Sequence, residues 1–551
     1  MPLSQTSLSK RIDEITPRLL RHGTKTLHPL HSYRVHTISE LAEQVVSQSY
    51  LWIATVSTLF LIYTTCHIFY NLVFSPLRSY PGPKLWAISS IPSGISILRG
   101  RSHIDMLSMH NKFGPVLRIG PNELSFNSPQ AFQDIYGFRP GKPQLAKDPK
   151  LYASKLNGVR DSIAGYLDNE SHTRQRRLLS HAFSDKCLRE QEGVIVPFVD
   201  LLVSRLRERA QMNKNDKSEE DIKSWFNFVT FDITGDLMFA ETFGCLENSK
   251  LHPWISLIFA TLKGITFLTV VNQFSLLRKM QDICLPEYLR GQMMKHFNLS
   301  AQKADRRLEK GTTRPDFMSS ILKHGLCDEE EQFIEDQPIM SRAEIHANSV
   351  FITIAGSETT ASLLSGCVYY LCKNPQAMVD LCKEVRSAFS QDRDITSTKC
   401  LRLKYLNAVI EESLRLYPPL VTNLPRIIPK GGDVVDGHIL PEYITVSTHH
   451  YASYHAVANF AFPEEFIPER WLGSDPRFIN DKRDVVQPFS LGPRNCLGKN
   501  LAYLEMRLIL SKLLYNFDIH ICKESENWID QDVYTIWNKP ALMVELEDRM
   551  A

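Results

Sequence analysis

The sequence predicts a predominantly helical chain behind an N-terminal membrane anchor. Three observations carry that expectation. The stretch from Ile345 to Cys372 holds a single formal charge, Glu358. The runs Tyr405–Tyr417 and Leu501–Leu513 place apolar residues at helical spacing. The segment from Leu51 to Phe74 is almost wholly apolar, with His67 its one ionisable side chain of variable charge.

Taken in chain order, residues 1–48 form a tail made basic by Lys10, Arg11, Arg18, Arg21 and Lys25. Asp13 and Glu14 count against a mitochondrial transit peptide, since such peptides are poor in acids. Residues 49–74 form the anchor: a span needs about 20 apolar residues at helical rise. Tyr50, Trp52 and Tyr70 sit where an aromatic belt lies. Pro76 and then Pro81-Gly82-Pro83 stop the helix and stiffen the exit. Arg78 and Lys84 follow the span while Glu40 and Glu43 precede it, which places the bulk of the chain in the cytosol. Residues 75–551 are then a single folded portion with no evident linker. Within it, the polar stretches Asn213–Asp221 and Cys327–Glu331 read as surface loops between helices.

The Ile345–Cys372 helix has Ser349, Thr353, Ser357, Ser362 and Ser365, too many hydroxyls for a second span. Gly356 costs about 1 kcal/mol relative to Ala in a helix interior. Glu358 beside Thr359 places an acid next to an alcohol in an apolar element, which is unfavourable unless something satisfies it. In the Tyr405–Tyr417 helix, Leu406, Ile410, Leu414 and Tyr417 share a face, and Glu412 and Arg415 lie opposite. Alone, that pair is an exposed i,i+3 contact worth a few tenths of a kcal/mol. Pro418-Pro419 ends the helix. Finally, Phe489-Ser490-Leu491-Gly492-Pro493-Arg494-Asn495-Cys496-Leu497-Gly498 sets one soft sulfur between glycines, beside an arginine and ahead of a helix. Thiolate is a preferred ligand for iron, and the helix N-terminus is expected to favour thiolate over thiol. Gly492 and Gly498 allow a tight turn and close approach to a flat ligand, and Arg494 suits bidentate pairing with a carboxylate.

The pattern Phe-x-x-Gly-x-Arg-x-Cys-x-Gly, preceded by Glu412-Ser413-Leu414-Arg415 and Pro468-Glu469-Arg470-Trp471, resembles the cytochrome P-450 superfamily of haem-thiolate monooxygenases from about Tyr80 onward. That resemblance implies one catalytic domain, mainly α with small β-sheets (α+β), and haem (iron protoporphyrin IX) as cofactor. It implies Cys496 as the axial iron ligand, with Phe489, Arg494 and Gly498 around the haem. Glu412, Arg415 and Arg470 are expected as a buried ionic network, one carboxylate with two guanidiniums. It also implies that the Ala355–Thr360 helix crosses the distal haem face and that its small residues open room for dioxygen. Thr359 is then the hydroxyl that hydrogen-bonds the oxygen, and Glu358 delivers protons from solvent. His172 and Arg176, at i,i+4, are expected to face one haem carboxylate, although many relatives carry Trp where His172 stands; Arg426 is a further contact. Arg174 and Arg177 read either as a solvated basic face or as part of a redox-partner surface with Lys482, Arg483 and Lys499.

No Gly-x-Gly-x-x-Gly fingerprint for a nicotinamide or flavin cofactor is evident, so electrons are expected from outside. The resemblance implies a membrane-bound NADPH-cytochrome reductase, with cytochrome b5 as a second donor, and residence in the endoplasmic reticulum. Net charge is only +2, which argues against nucleic acid as a partner. The 11 cysteines are odd in number and lack metal spacing, as suits a reducing compartment. Leu151–Tyr166, Ala347–Ala355, Val421–Leu424 and Tyr534–Ile536 are the expected pocket segments, mostly apolar with a few hydroxyls. They suit a lipophilic terpenoid, polyketide or alkaloid, with Phe351 read as core packing. Phrases around Cys496 and after Tyr417 look most like fungal members that tailor secondary metabolites. The competing readings are an oxygen-independent haem-thiolate isomerase or dehydratase, and a non-catalytic haem sensor or electron carrier. The intact Glu358–Thr359 pair disfavours the former, and the apolar pocket segments disfavour the latter.

Overall fold

In the computed structural model, residues 28–152, 161–212, 217–311, 314, 316–323, 326–327 and 339–549 are described, with side chains from residue 43. The expectations for residues 1–27 and for 153–160 of the first pocket segment lie outside these. The chain divides into two units, Met1–Tyr70 and Asn71–Ala551. The first contains the helix His28–Phe69, which continues as a π-helical turn, Tyr70–Phe74. Its stretch Glu43–Phe74 has a mean hydropathy of 1.6, and none of its most apolar window is buried in protein, so it is a candidate anchor.

The second unit is mainly helical with small sheets. Its axis is the helix Arg342–Lys373. Ser341 accepts from the Glu344 N–H while the Glu344 carboxylate accepts from the Ser341 N–H, a reciprocal cap that fixes the start. Asn374-Pro375 ends it. Helices Ile222–Phe239, Glu287–Lys310, Lys404–Leu416 and Lys499–Asn516 pack on this axis, and Asp185–Gln211 packs on Ile222–Phe239 and Lys499–Asn516 in the same core. In Ile222–Phe239 every residue except Lys223 and Ser224 is buried, so an amphipathic reading of that element fails. Pro253–Val271 is also apolar enough to span a membrane, but 59% of it is buried in the protein.

Small glycines set how closely the axis is approached. A Cβ on Gly356 would lie 3.0 Å from Thr234 Oγ1, so this glycine admits the neighbouring helix. Its missing side chain therefore serves helix packing here. A Cβ on Gly366 would overlap the Tyr417 ring. Gly366→Ala is expected to cost about 1–3 kcal/mol by overpacking, read as a lower denaturant midpoint.

A five-stranded sheet has the order Val116–Gly120, Glu123–Phe126, Thr445–Thr448, Arg426–Ile427, Ala146–Lys147. Only the pairing of Glu123–Phe126 with Thr445–Thr448 is parallel. A three-stranded antiparallel sheet joins Phe517–Ile521, Met543–Asp548 and Lys217–Asp221. The last strand corrects the expectation of a loop over Asn213–Asp221; residues 213–216 lie outside the described ones. The polar run becomes a strand because the edge of Met543–Asp548 supplies its backbone partners, and Lys217 Nζ reaches Glu545 and Glu547 at 3.0 and 3.1 Å. Cys327, likewise expected in a loop, pairs in the two-residue strand Leu326–Cys327 with Met340–Ser341.

Candidate active site

The loop before Lys499–Asn516 is built by its backbone. Ser490 (φ 56°) and Gly492 (φ 68°) are left-handed, and a Cβ on Gly492 would overlap the Tyr136 carbonyl. The Cys496 N–H donates to Phe489 O at 2.7 Å and closes the loop. A Cβ on Gly498 would meet the chain only at Phe183, 4.0 Å away, so this glycine leaves open space beside the sulfur. Phe489 packs on Tyr503 with the rings tilted at 42° and their centroids 5.2 Å apart.

Cys496 is exposed, yet burial pushes its thiol up against the pull of the Gly498 N–H, Arg176 and Lys499. An accessible side chain with a dehydrated thiol faces a recess rather than bulk solvent. A coordinated metal reverses the balance, because it deprotonates a thiol outright.

Around that loop basic groups gather. Arg426 and Lys147 stand directly opposite each other on adjacent strands, and both are buried. Like charges in that register repel. Burial pulls Lys147 down to about 6, helped by Arg494 and Arg426 and opposed by Asp161. Burial likewise pulls His172 down to about 3, with Arg494, Lys147, Arg176 and Arg426 acting the same way. His172 is therefore neutral and meets an anion as an N–H donor. Lys147 carries no sequence motif and was missed; only its register against Arg426 reveals it.

The arginines are held differently from expectation. Arg494 donates to the carbonyls of Tyr166, Leu167 and Asp168 and to Asn169 Oδ1, at 2.9, 3.2, 2.7 and 3.0 Å. Its Nε has no partner among the described residues. Thus carbonyls of the chain, not a carboxylate, take its terminal nitrogens. Arg176 donates to Asn495 O and Oδ1, both at 2.5 Å, and so braces the cysteine loop. Arg426 donates to the Tyr152 hydroxyl at 3.1 Å and lies 5.2 Å from the Tyr136 ring centroid. Arg174 leaves the basic surface entirely: it pairs with the buried Glu344, which also accepts from Tyr166 at 2.9 Å and Gln175 at 3.0 Å. Arg177, Lys482 and Lys499 are exposed, and Arg483 donates to Arg470 O at 3.0 Å.

Glu412, Arg415 and Arg470 do come together, with fully buried side chains. Arg415 forks onto Glu412 at 2.9 and 2.8 Å and donates to the carbonyls of Tyr454, Pro463 and Glu465. Arg470 reaches Glu412 at 3.1 Å and also pairs with Asp481. Trp471 Nε1 and the Ile467 N–H complete the carboxylate at 2.9 and 3.0 Å. The network is therefore two carboxylates with two guanidiniums, a correction that balances its charge. Burial raises the Glu412 carboxyl, but Arg415 and Arg470 outweigh it and hold it below its usual range.

In the axial helix, Thr359 is the only residue between Ser357 and Tyr369 that is not buried. With Ala355 and Phe351 it forms a stripe at every fourth position. Phe351 is 37% exposed, so it is not the core residue expected. The Thr359 hydroxyl donates to Ala355 O at 2.6 Å. Glu358 is buried and pairs with Lys539, a partner the sequence did not suggest.

A cleft opens between the five-stranded sheet, the helix Pro253–Val271 and the C-terminal hairpin Val533–Trp537. Leu151, Thr422, Asn423 and Thr535 line it, from three of the four expected segments. The Ala347–Ala355 segment does not, because Ala347, Ile352 and Thr353 are turned into the core. Thr266, Thr269, Gln273 and His449 also line it, adding hydroxyls, an amide and an imidazole to a lining surface that is mostly apolar, as expected.

The cytochrome P450 family model matches residues 80–543. The chain belongs to the cytochrome P450 family. It is 42% identical to the cytochrome P450 monooxygenase efuB of Hormonema carpetanum, covering 91% of this chain and 98% of the relative. It is 42% identical to the trichothecene C-15 hydroxylase of Fusarium sporotrichioides, over 89% and 96%. It is 39% identical to the averantin hydroxylase of Dothistroma septosporum, over 89% and 90%. This P450 is an oxidoreductase of the monooxygenase type, and its cofactor is haem.

The residues present fit that cofactor. A recessed sulfur donor, an open flank at Gly498 and a cluster of basic side chains suit a metal, a flat ring and two carboxylates. Lys147 gives a direct test. In haem-free protein it binds fewer protons than in the unfolded chain, whose lysines titrate near 10.4. Stability should therefore rise with pH from about 6 upward. Lys147→Met should flatten that slope and raise haem-free stability while weakening haem retention. Denaturant titrations at several pH values, with haem transfer to apomyoglobin, check both.

Proposed function

We propose that this P450 hydroxylates a lipophilic small molecule in secondary metabolism, as a membrane-anchored enzyme of the endoplasmic reticulum with its catalytic unit in the cytosol. Electrons come from a separate NADPH-cytochrome reductase, with cytochrome b5 as a second donor. The observation that carries the cofactor assignment is the buried like-charge pair Lys147–Arg426, beside neutral His172 and near Arg494. Burial and the neighbouring guanidiniums discharge Lys147 in the haem-free protein, and an anion beside the pair would restore its ammonium.

Cys496 would supply the thiolate that holds the haem iron; Phe489, Gly498 and Arg176 shape its loop; and His172, Lys147, Arg426 and Arg494 Nε would receive the haem carboxylates. When bound, haem supplies oxygen activation and insertion into a carbon–hydrogen bond. The protein's own residues position substrate and move protons. Thr359 Oγ1, on the one face of its stretch of the axial helix that is not buried, turns from Ala355 O to hydrogen-bond the oxygen. Glu358 is its proton source. Glu412, Arg415 and Arg470 hold the backbone at Tyr454, Pro463 and Glu465 and have no chemical step. The cleft's hydroxyls and amides suit a skeleton that already carries oxygen functions.

Full-length protein in lipid nanodiscs with a reductase is expected to consume NADPH and oxygen and to release a hydroxylated metabolite. Extracts of a strain lacking the gene supply the substrate. Product formed equally well without oxygen would overturn the reading.

A further inference from the structure

The structure assigns a partner to Glu358 that the oxygen-handling motif does not contain. Lys539 Nζ donates to Glu358 Oε1 and, at 2.5 Å, to Ser362 Oγ. Both charged side chains are 1% exposed. Ser362 Oγ lies 3.3 Å from the same carboxylate oxygen, one helical turn on. Glu358 Oε2 has no hydrogen-bond partner among the described residues. The carboxylate is thus pinned through one oxygen, and the other alone remains to take or give a proton.

Lys539 is itself rigidly placed. It follows the hairpin Val533–Trp537, whose Trp537 ring stacks on Tyr417 at 4.4 Å and whose Nε1 donates to Pro418 O at 2.9 Å. Thr535, at the hairpin turn, has φ 69°, an unfavourable conformation for a β-branched residue, and its hydroxyl is 3.0 Å from Thr266 Oγ1. Thr266 and Thr535 both line the cleft. The other charged groups acting on Lys539 are Lys223 and Asp221, and Tyr417 feels the Glu358 charge. Burial pulls Lys539 down and Glu358 holds it up. Without Lys539, a buried carboxylate with one orphan oxygen would take up a proton rather than stay charged.

We propose that Lys539 is the positioning residue of the proton-delivering acid: it keeps Glu358 ionised, with Oε1 engaged and Oε2 free, and so sets the pH range over which protons reach Thr359. The role rests on the monooxygenase reading, but the state of the pair can be read without turnover.

The test uses full-length holoenzyme in nanodiscs. Infrared difference spectra of Lys539→Met against wild type should show a new protonated-carboxyl band at neutral pH. The band should vanish in the double variant K539M/E358Q and be absent from K539R. With reductase and NADPH but no added substrate, K539M should lower oxygen consumption about tenfold and displace its pH profile, and K539R should restore both. Should K539M fold poorly, S362A removes one of the two acceptors of the ammonium and should displace the profile in the same direction by less. A folded K539M without the band, or a pH profile superimposable on wild type in K539M or S362A, would overturn the proposal. Absence of oxygen consumption in the wild type would instead defeat the monooxygenase reading and leave the infrared result standing.

Discussion

Cys496→Ser is expected to abolish the carbonyl-adduct absorbance of the reduced protein and all NADPH-driven turnover. Serine offers a harder oxygen donor whose proton is far less acidic than a thiol's, so the donor set no longer suits iron held by a soft anion. The expected loss is complete rather than graded, because no other cysteine stands in this loop. The fold should survive: the Cys496 side chain is exposed to its recess, and its loop is closed by backbone and by Arg176, not by sulfur. Absorbance of the reduced, carbon monoxide-treated variant decides the matter, with a thermal melt to verify folding. A wild-type adduct band in that variant would end the haem-thiolate reading.

The second large effect concerns stability. Arg415→Met leaves Glu412 without its bidentate partner and strips donors from the carbonyls of Tyr454, Pro463 and Glu465, all in a site without solvent. Breaking a buried pair by removing one member costs about 3–5 kcal/mol. The denaturant midpoint should fall accordingly, and haem content with it. The pH dependence has a definite sign. Glu412 is held below the ordinary carboxyl range, so its contribution is fully present above the pKa of an unfolded glutamate and is lost as pH falls through the lower folded value. Wild type should lose stability toward acid more steeply than Glu412→Gln, which has already given up the charge. Equal slopes would show that Glu412 is not ionised in the native state.

Much of the candidate site was legible because its signals are local. Turn glycines, an arginine and a cysteine at fixed offsets specify a loop wherever they occur, and the Glu412/Arg415 spacing places both side chains on one helical face. What such spacing could not say is whether that face meets water. The pair reads as a weak surface contact until Tyr454, Phe460 and the Pro468–Trp471 turn are seen to cover it. The same blindness explains Arg174, a surface cation by pattern and a buried partner of Glu344 in fact. It explains Phe351 in reverse, an apolar residue assigned to the core that faces outward.

The amino-acid order alone determined the anchor-like apolar helix, the helical runs Ile345–Cys372, Tyr405–Tyr417 and Leu501–Leu513 with the Pro418-Pro419 stop, and the loop that presents Cys496. Each is encoded within a dozen or two neighbouring residues, by period, by backbone permission or by donor chemistry. The tertiary structure alone decided the charge partners: Asp481 for Arg470, Lys147 against Arg426, Lys539 for Glu358, Glu344 for Arg174. Coulomb energy depends on distance in space and on how much water is excluded, and chain separation constrains neither.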